Sequence, residues 1–234
     1  MDESGHRFSS GALFGALVDL VLPVVCGGCR SPGSPWCDCC AQHLADDPRR
    51  VLPRTPVPVG VWACGPYRGP LRSAIIAAKE HGRRDLVEPL GGALARSLIT
   101  LARWGELPDA DRLLLIPAPT RLAAARRRGG DPVEAYCRAA AQHLGPGVGV
   151  TRLLRTSGWV HDSAGLSAGA RVENLRGAIR LRTDHPLPPA FSARPAIVLV
   201  DDVVTTGVTV AESIGALHRS GVAVSAVVVL AAAD

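Results

Sequence analysis

The chain has 234 residues, of which 47% are hydrophobic and 20% charged, a composition that excludes a disordered protein and allows one full-sized domain with a small appendage. Its formal charge is +5, and all but one of its 26 basic residues are arginines. Because aromatic residues make up only 4% of the chain, a stacking platform for single-stranded nucleic acid is poorly supported. The positive charge instead suits a pocket for a polyanion.

An apolar run near the N-terminus, residues 11–25, imitates the hydrophobic part of a signal peptide. It is too short to span a bilayer, Asp19 interrupts it at a cost of about 2.5 to 3.5 kcal/mol, and no small-residue cleavage site follows it. Leucines recur in it at helical spacing, at Leu13, Leu17 and Leu20. We therefore predict a short amphipathic helix packed on the protein, no membrane span and a cytoplasmic location.

Four of the seven cysteines form two Cys-x-x-Cys knuckles, at Cys26, Cys29, Cys37 and Cys40. Glycines around them allow tight turns in which backbone N–H groups face sulfur, and four such thiolates suit tetrahedral zinc. We predict a structural zinc ribbon, with Cys39 as an alternative fourth ligand. Disulfide pairing is the competing interpretation, which the odd number of cysteines and the unconvincing export signal disfavour.

Composition divides the chain into an N-terminal helix and zinc ribbon over residues 1–45, a linker rich in Pro, Arg and Asp over 46–58, and a main domain over 59–234. The main domain is predicted to open with a strand over 59–64, a helix over 71–82 and an amphipathic helix over 86–104. Lys79, the single lysine, lies on the first of these helices. Either it is a solvated helix residue, or it contacts pyrophosphate or acidic neighbours.

A second buried strand is predicted over 112–116, and it ends in the turn Pro117-Ala118-Pro119-Thr120-Arg121. Two prolines fix the backbone of this turn, and the carboxyl end of a strand is where a doubly wound sheet binds its ligand. Four arginines lie in the turn or shortly after it: Arg121, Arg126, Arg127 and Arg128. They could clamp anionic oxygens bidentately, and a solvated basic segment is the alternative. Asp131 is predicted to cap the helix that follows.

The third predicted strand, over 196–200, ends on two adjacent acids, Asp201 and Asp202. Because burial of unpaired carboxylates costs several kcal/mol, we predict that the acids lie in the mouth of the sheet. The residues that follow them are Val203, Val204, Thr205, Thr206, Gly207, Val208 and Thr209, and a helical pattern runs over 210–219. A glycine turn that opens a helix aims N–H groups and the helix dipole at one point, which suits a phosphate.

This stretch closely resembles the phosphoribosyl pyrophosphate (PRPP) motif of type I phosphoribosyltransferases, which has a hydrophobic strand, Asp-Asp, two apolar residues and Thr-Thr-Gly-x-Thr. The resemblance implies that Asp201 and Asp202 hold the ribose hydroxyls and that residues 205–209 bind the 5-phosphate, with Val203 and Val204 also part of the substrate-binding stretch. It also implies that the turn Pro117-Ala118-Pro119 binds the pyrophosphate, and that Mg²⁺ binds together with PRPP.

Further motifs accompany the two knuckles: Tyr67-Arg-Gly-Pro-Leu-Arg72, Arg126-Arg-Arg-Gly129, Gly165-Leu-Ser167 and Asn174-Leu-Arg-Gly177. Together they resemble the ComF family, phosphoribosyltransferase-like proteins associated with DNA uptake. The implied fold is α/β, a type I phosphoribosyltransferase-like and mostly parallel sheet flanked by helices, with a small N-terminal zinc ribbon. The chain departs from many relatives at Arg128-Gly-Gly-Asp-Pro132, where they have Arg-Gly-Phe-Asn-Gln, and it lacks their glutamine near Ser163.

The resemblance implies transfer of phosphoribosyl from magnesium PRPP to a nitrogen acceptor, a nucleobase or amine that the sequence does not identify. His161 and Asp162 are candidate bases. Thr205 stands where hypoxanthine-guanine transferases generally carry an acid, which argues against a 6-oxopurine acceptor. Two alternatives stay open: a non-catalytic PRPP-binding accessory protein that acts with a helicase and channel proteins in DNA uptake, and direct binding of single-stranded DNA.

Overall fold

The computed structural model describes residues 24–120, 130–157, 177–182, 184 and 195–233. In these residues the strands are β1 (Arg49–Val51), β2 (Gly60–Pro66), β3 (Leu113–Pro117), β4 (Val148–Val150), β5 (Leu154–Thr156), β6 (Ile179–Leu181), β7 (Ala196–Val204) and β8 (Ala226–Ala232). The helices are α1 (Asp38–Gln42), α2 (Gly69–Glu80), α3 (Val87–Arg103), α4 (Pro132–Leu144) and α5 (Val208–His218). Within these ranges, no helix combines the length and apolar character that a membrane crossing requires. The helix predicted around Leu17 lies outside them.

Six strands form one sheet in the order β1-β2-β8-β7-β3-β4, and all neighbours except β1 and β2 are parallel. The apolar strands β7 and β8 lie at its centre and are almost completely buried, because helices cover both faces. Leu94 of α3 and Tyr136 of α4 belong to the core on one face, and Ile214 and Leu217 of α5 to the core on the other. The predicted α/β protein with a mostly parallel central sheet is confirmed.

Strands β3 and β7 are neighbours, but the chain leaves them in opposite directions. From β3 it passes through α4 to β4 on one side, and from β7 through α5 to β8 on the other. Helices α4 and α5 cover opposite faces of the sheet. The carboxyl ends of β3 and β7 therefore flank a topological switch point, where open α/β sheets form their ligand crevice.

The predicted boundaries around the acid pair are wrong. The strand expected to end before the acids continues to Val204, because β8 pairs with β7 as far as Ala232. Accordingly, α5 begins at Val208, two residues earlier than predicted. The segment predicted as a linker contains β1, in which Arg50 pairs with Trp62 of β2 and Val51 packs on the core.

Two arginines of the main domain donate hydrogen bonds to backbone carbonyl groups of the cysteine-rich segment. Arg83 Nη2 donates a hydrogen bond to Val25 O at 3.0 Å, and Arg96 Nη2 donates one to Leu44 O at 2.8 Å. Leu44 itself is buried in the core that α3 and α4 share. Guanidinium groups thus satisfy carbonyls that no strand or helix partner reaches.

Gly91 allows α3 and α4 to approach closely, because a Cβ there would lie 2.4 Å from Ala139 Cβ and 3.1 Å from Tyr136 O. Since two packed helices would have to separate, Gly91→Ala should lower the free energy of unfolding by about 1 to 3 kcal/mol. Gly92→Ala is the matched control: its Cβ would meet no atom closer than 3.6 Å, and alanine should stabilise the helix by about 0.5 to 1 kcal/mol. Denaturant melts measure both, and equal effects would contradict the close packing.

Candidate active site

The acid pair lies inside β7 and not beyond it. Asp202 is only 7% exposed, and Lys79 Nζ, from α2, lies 2.6 Å from its Oδ2. Its other oxygen, Oδ1, accepts a hydrogen bond from Val203 N at 2.8 Å. The predicted open position is therefore wrong for Asp202, whose buried carboxylate is balanced by a cation and a backbone donor. Lys79 is therefore not a solvated helix residue, because it contacts an acidic neighbour, as the second interpretation of it allowed.

Asp201 has a different environment from its neighbour. It is half-buried, and its Oδ1 accepts a hydrogen bond from Asp202 N at 2.8 Å. Burial of the carboxyl group and the adjacent charge of Asp202 raise the pKa of Asp201 to about 8. At neutral pH this group therefore keeps its proton in the protein without ligand, and a ligand that favours negative charge has to displace that proton.

The predicted phosphate loop is shorter in the structure than in the sequence motif. Val203 and Val204 complete β7, and Val208 and Thr209 already belong to the first turn of α5. Only Thr205, Thr206 and Gly207 form the turn between them. Gly207 has a φ of 82°, in the left-handed region, and immediately precedes the helix. A short turn therefore presents two threonines and the amino end of an eleven-residue helix at the carboxyl end of β7.

Residues 49–55, which we call the strap, pack against this turn. Thr55 N donates a hydrogen bond to Thr206 O at 2.9 Å, and a Cβ on Gly207 would lie 2.5 Å from Pro53 Cβ. Between the strap and the turn is a cavity of about 420 Å³, the strap cavity. Its lining includes three arginines that sequence reasoning assigned to a linker: Arg49, Arg50 and Arg54.

The contact between strap and turn makes Gly207 sensitive to substitution. Gly207→Ala should lower the free energy of unfolding by about 2 to 4 kcal/mol, because it adds left-handed strain to an overlap with Pro53. Gly221→Ala controls for the strain alone, since Gly221 has a φ of 76° but nothing within 4 Å of a new Cβ, and should cost about 1 to 2 kcal/mol. Urea unfolding compares the two variants. Equal losses would show that the strap does not constrain the turn.

On the other side of the switch point, the predicted pyrophosphate turn follows β3 directly. Pro117 is the last residue of β3, and Ala118 N donates a hydrogen bond to Val200 O of β7 at 2.7 Å. Thr120 Oγ1 then donates to Asp131 Oδ1 at 3.0 Å. The same oxygen accepts from Val133 N at 3.0 Å, so the predicted helix cap is confirmed. These bonds hold the turn between β7 and the amino end of α4.

Three arginines that sequence reasoning missed surround this turn: Arg152, Arg155 and Arg182. Arg152 Nε lies 3.3 Å from Glu134 Oε2, and Arg182 Nη2 lies 2.6 Å from Asp184 Oδ2. Arg155 is exposed between the two buried residues of β5. This alternation is the pattern in the sequence that could have identified it as a surface residue of a strand. Five predicted site residues lie outside the described residues: Arg121, Arg127, Arg128, His161 and Asp162.

The four knuckle cysteines converge, and their ligand atoms all lie within 4.8 Å of one another: Cys26, Cys29, Cys37 and Cys40. The Cys26–Cys40 and Cys29–Cys37 sulfur distances are 3.6 and 3.5 Å. They are close to the roughly 3.8 Å edge of a tetrahedron with Zn–S bonds of about 2.3 Å, and far above the roughly 2.05 Å of a disulfide. The group could therefore bind a structural zinc ion. Cys39 is exposed and stands outside the group.

Backbone donors also prepare this group for a metal. Gly28 N and Cys37 N each donate to Cys26 Sγ at 3.4 Å. Although burial opposes ionisation of Cys26, the N–H groups facing its sulfur outweigh that effect and lower the pKa of the thiol to about 6. In Cys40, burial and the neighbouring Cys26 sulfur raise the pKa instead. Four thiolates together therefore need a cation.

Fold and cysteine group define a mixed α/β protein with a mostly parallel sheet and an N-terminal four-cysteine module. The chain is 31% identical over 192 residues to the DNA utilization protein YhgH of Salmonella typhi, covering 81% of this chain and 79% of that protein. It is 29% identical over 228 residues to the protein of that name from Escherichia coli K12, covering 87% of this chain and 95% of that protein. The chain therefore belongs to the family of DNA utilization protein YhgH. No family model matches it.

Proposed function

We propose that the chain binds magnesium PRPP, on a type I phosphoribosyltransferase-like fold, and transfers the phosphoribosyl group to a nitrogen acceptor. One observation carries the proposal: the acid pair of β7 lies at a topological switch point between two turns, and arginines border each turn. PRPP has anionic groups at both ends of its ribose. Basic residues on both sides of two carboxylates match that distribution of charge.

In this mechanism, Asp201 and Asp202 accept hydrogen bonds from the ribose hydroxyls. Their charge stabilises the positive charge that grows on the ring as the bond between C1 and the pyrophosphate oxygen breaks. Lys79, whose Nζ lies 2.6 Å from Asp202 Oδ2, holds that carboxylate in a fixed position. The acceptor nitrogen forms its bond to C1 and loses a proton, and pyrophosphate leaves with the electron pair.

The turn Pro117-Ala118-Pro119 would hold the pyrophosphate in this proposal. Guanidinium groups bind phosphate oxygens bidentately, and Arg155 on β5 is the exposed arginine beside this turn. The turn Thr205-Thr206-Gly207 and the amino end of α5 would hold the 5-phosphate. The two anionic ends of one ligand thus lie on the two sides of the acid pair.

Magnesium enters the proposal as the companion of PRPP. Magnesium commonly binds proteins through one or two carboxylates, while substrate phosphates and water complete its coordination. The adjacent carboxyl groups of Asp201 and Asp202 fit that requirement, since they provide two acids beside the predicted pyrophosphate turn. The ion would help to neutralise the leaving group.

Turnover is tested by pyrophosphate release from magnesium PRPP with a panel of nucleobases and amines. We expect release with at least one of these nitrogen nucleophiles. In Arg155→Ala the rate of release should fall by about tenfold or more, because the leaving group loses a cation. Arg103→Ala is the control, since Arg103 ends α3, which leads into the amino end of β3, away from the site. PRPP binding without release by any acceptor would contradict catalysis.

A second candidate function is that of a PRPP-binding accessory protein in the cytoplasm, which acts with helicase and channel proteins in DNA uptake. The name of the relatives, DNA utilization protein, favours it. The part of this second hypothesis that is easiest to test is direct contact with single-stranded DNA. It predicts that log K for a labelled oligonucleotide falls linearly with log salt, with a slope of about −0.7 per phosphate contacted. Absence of measurable binding at low salt would exclude that contact.

A further inference from the structure

The strap cavity has a strongly asymmetric charge. Its volume of about 420 Å³ falls in the range of small-molecule sites, about 300 to 1,000 Å³. One wall is the strap, with Arg49, Arg50 and Arg54, and the other is formed by Thr205, Thr206 and the end of β8. Among its described lining residues there is no acid and no histidine. A ligand here therefore meets cations and hydroxyls, and an anionic group is the partner that they favour.

The same wall also offers apolar contact. Leu52 is 88% exposed on the strap, and Pro53 follows it against the turn. An exposed leucine between two arginines can cover the face of a flat ring whose edge carries a charge. The strap is fixed by the bond from Thr55 N to Thr206 O, so these groups stay in place beside the turn.

We infer that the strap cavity is the acceptor site and that the acceptor is a nitrogen compound carrying a negative charge, such as a carboxylated heterocycle or aromatic amine. The inference rests on the proposed phosphoribosyl transfer, because the cavity shares Thr205 and Thr206 with the proposed 5-phosphate turn. Its described walls contain no base to take the acceptor's proton. As the nitrogen forms its bond to C1, pyrophosphate leaves with the electron pair and the nitrogen's proton passes to water or to a pyrophosphate oxygen, while the arginines bind the separate carboxylate of the acceptor.

The test compares two pairs of compounds that differ by one carboxylate: orotate with uracil, and anthranilate with aniline. With saturating magnesium PRPP, calorimetry should show the carboxylated member of at least one pair binding about tenfold tighter or more. The double variant Arg50→Ala with Arg54→Ala should lose that preference, measured at a magnesium PRPP concentration raised until the variant itself is saturated. Arg54→Glu should weaken the carboxylated compound further, and Arg103→Ala should change nothing.

These outcomes separate the inference from the proposal on which it rests. If the wild-type protein does not bind magnesium PRPP, the proposed function itself fails. If it binds PRPP, three results overturn the inference: equal affinity within both pairs, no binding of any of the four compounds, or an unchanged preference in the arginine variants. Arg50 and Arg54 are both exposed, so their substitution should leave the melting temperature unchanged.

Discussion

Cys40→Ser should remove zinc from the protein, whereas Cys39→Ser should leave it bound. The Cys40 sulfur lies 3.6 Å from that of Cys26 and inside the four-sulfur group, while the neighbouring Cys39 is exposed and outside it. Structural zinc contributes apparent binding free energies of about 10 to 16 kcal/mol in zinc-finger peptides at neutral pH. Loss of one thiolate should therefore unfold the cysteine-rich segment, and the main sheet should survive.

Metal analysis and limited proteolysis measure this effect. Wild-type protein and Cys39→Ser should each carry about one equivalent of zinc per chain and resist cleavage between residues 25 and 45. Cys40→Ser should carry less zinc and be cut there. Protein without zinc whose four cysteines are paired as disulfides, or an equal loss of zinc in both variants, would contradict the zinc site.

Asp201→Asn should stabilise the protein without ligand as the pH rises. The folded protein keeps the Asp201 proton up to a pKa of about 8, while the unfolded chain releases it near its ordinary value of 3.8. Because the folded state binds more protons between these values, the stability of the wild-type protein falls as pH rises through that window. Asparagine removes the loss, on the order of 1 to 3 kcal/mol at pH 8 for this half-buried group.

Asp202→Asn should act in the opposite direction. It breaks the ion pair with Lys79, whose side chain is 36% exposed and can reach water, so we expect a loss of about 1 to 2 kcal/mol. Thermal melts between pH 5 and pH 9 compare both variants with the wild-type protein. If the wild-type protein and Asp201→Asn respond to pH in parallel, Asp201 is not the group that titrates.

Local sequence patterns correctly predicted those elements that depend only on residues close together in the chain. The apolar run of β7 with its Gly207 turn, the cap at Asp131 and the cysteine knuckles all lie within short stretches of sequence, and the structure has each of them. The predicted end of β7 was wrong, and the reason is physical. An acid normally ends a buried strand, but pairing with β8 continues through Asp201, whose partner is Val229.

The rest of the candidate site depends on contacts between distant residues. Lys79 and Asp202 are 123 positions apart, so no local pattern reveals their ion pair. The arginines of the strap become part of a cavity only because the three-residue strand β1 pairs with β2 and the strap then reaches the Thr206 turn. Arg155 likewise reaches the Pro117 turn from a separate two-stranded sheet.

Calorimetric titration of magnesium PRPP tests the central claim most directly. Zinc-loaded wild-type protein should bind it, about tenfold more tightly at pH 8.5 than at pH 6.5, because Asp201 has to lose its proton. The double variant Asp201→Asn with Asp202→Asn should give no binding heat at either pH, and Arg103→Ala should match the wild-type protein. A folded wild-type protein that gives no binding heat, or a double variant that binds as tightly as the wild-type protein, would contradict the phosphoribosyl site.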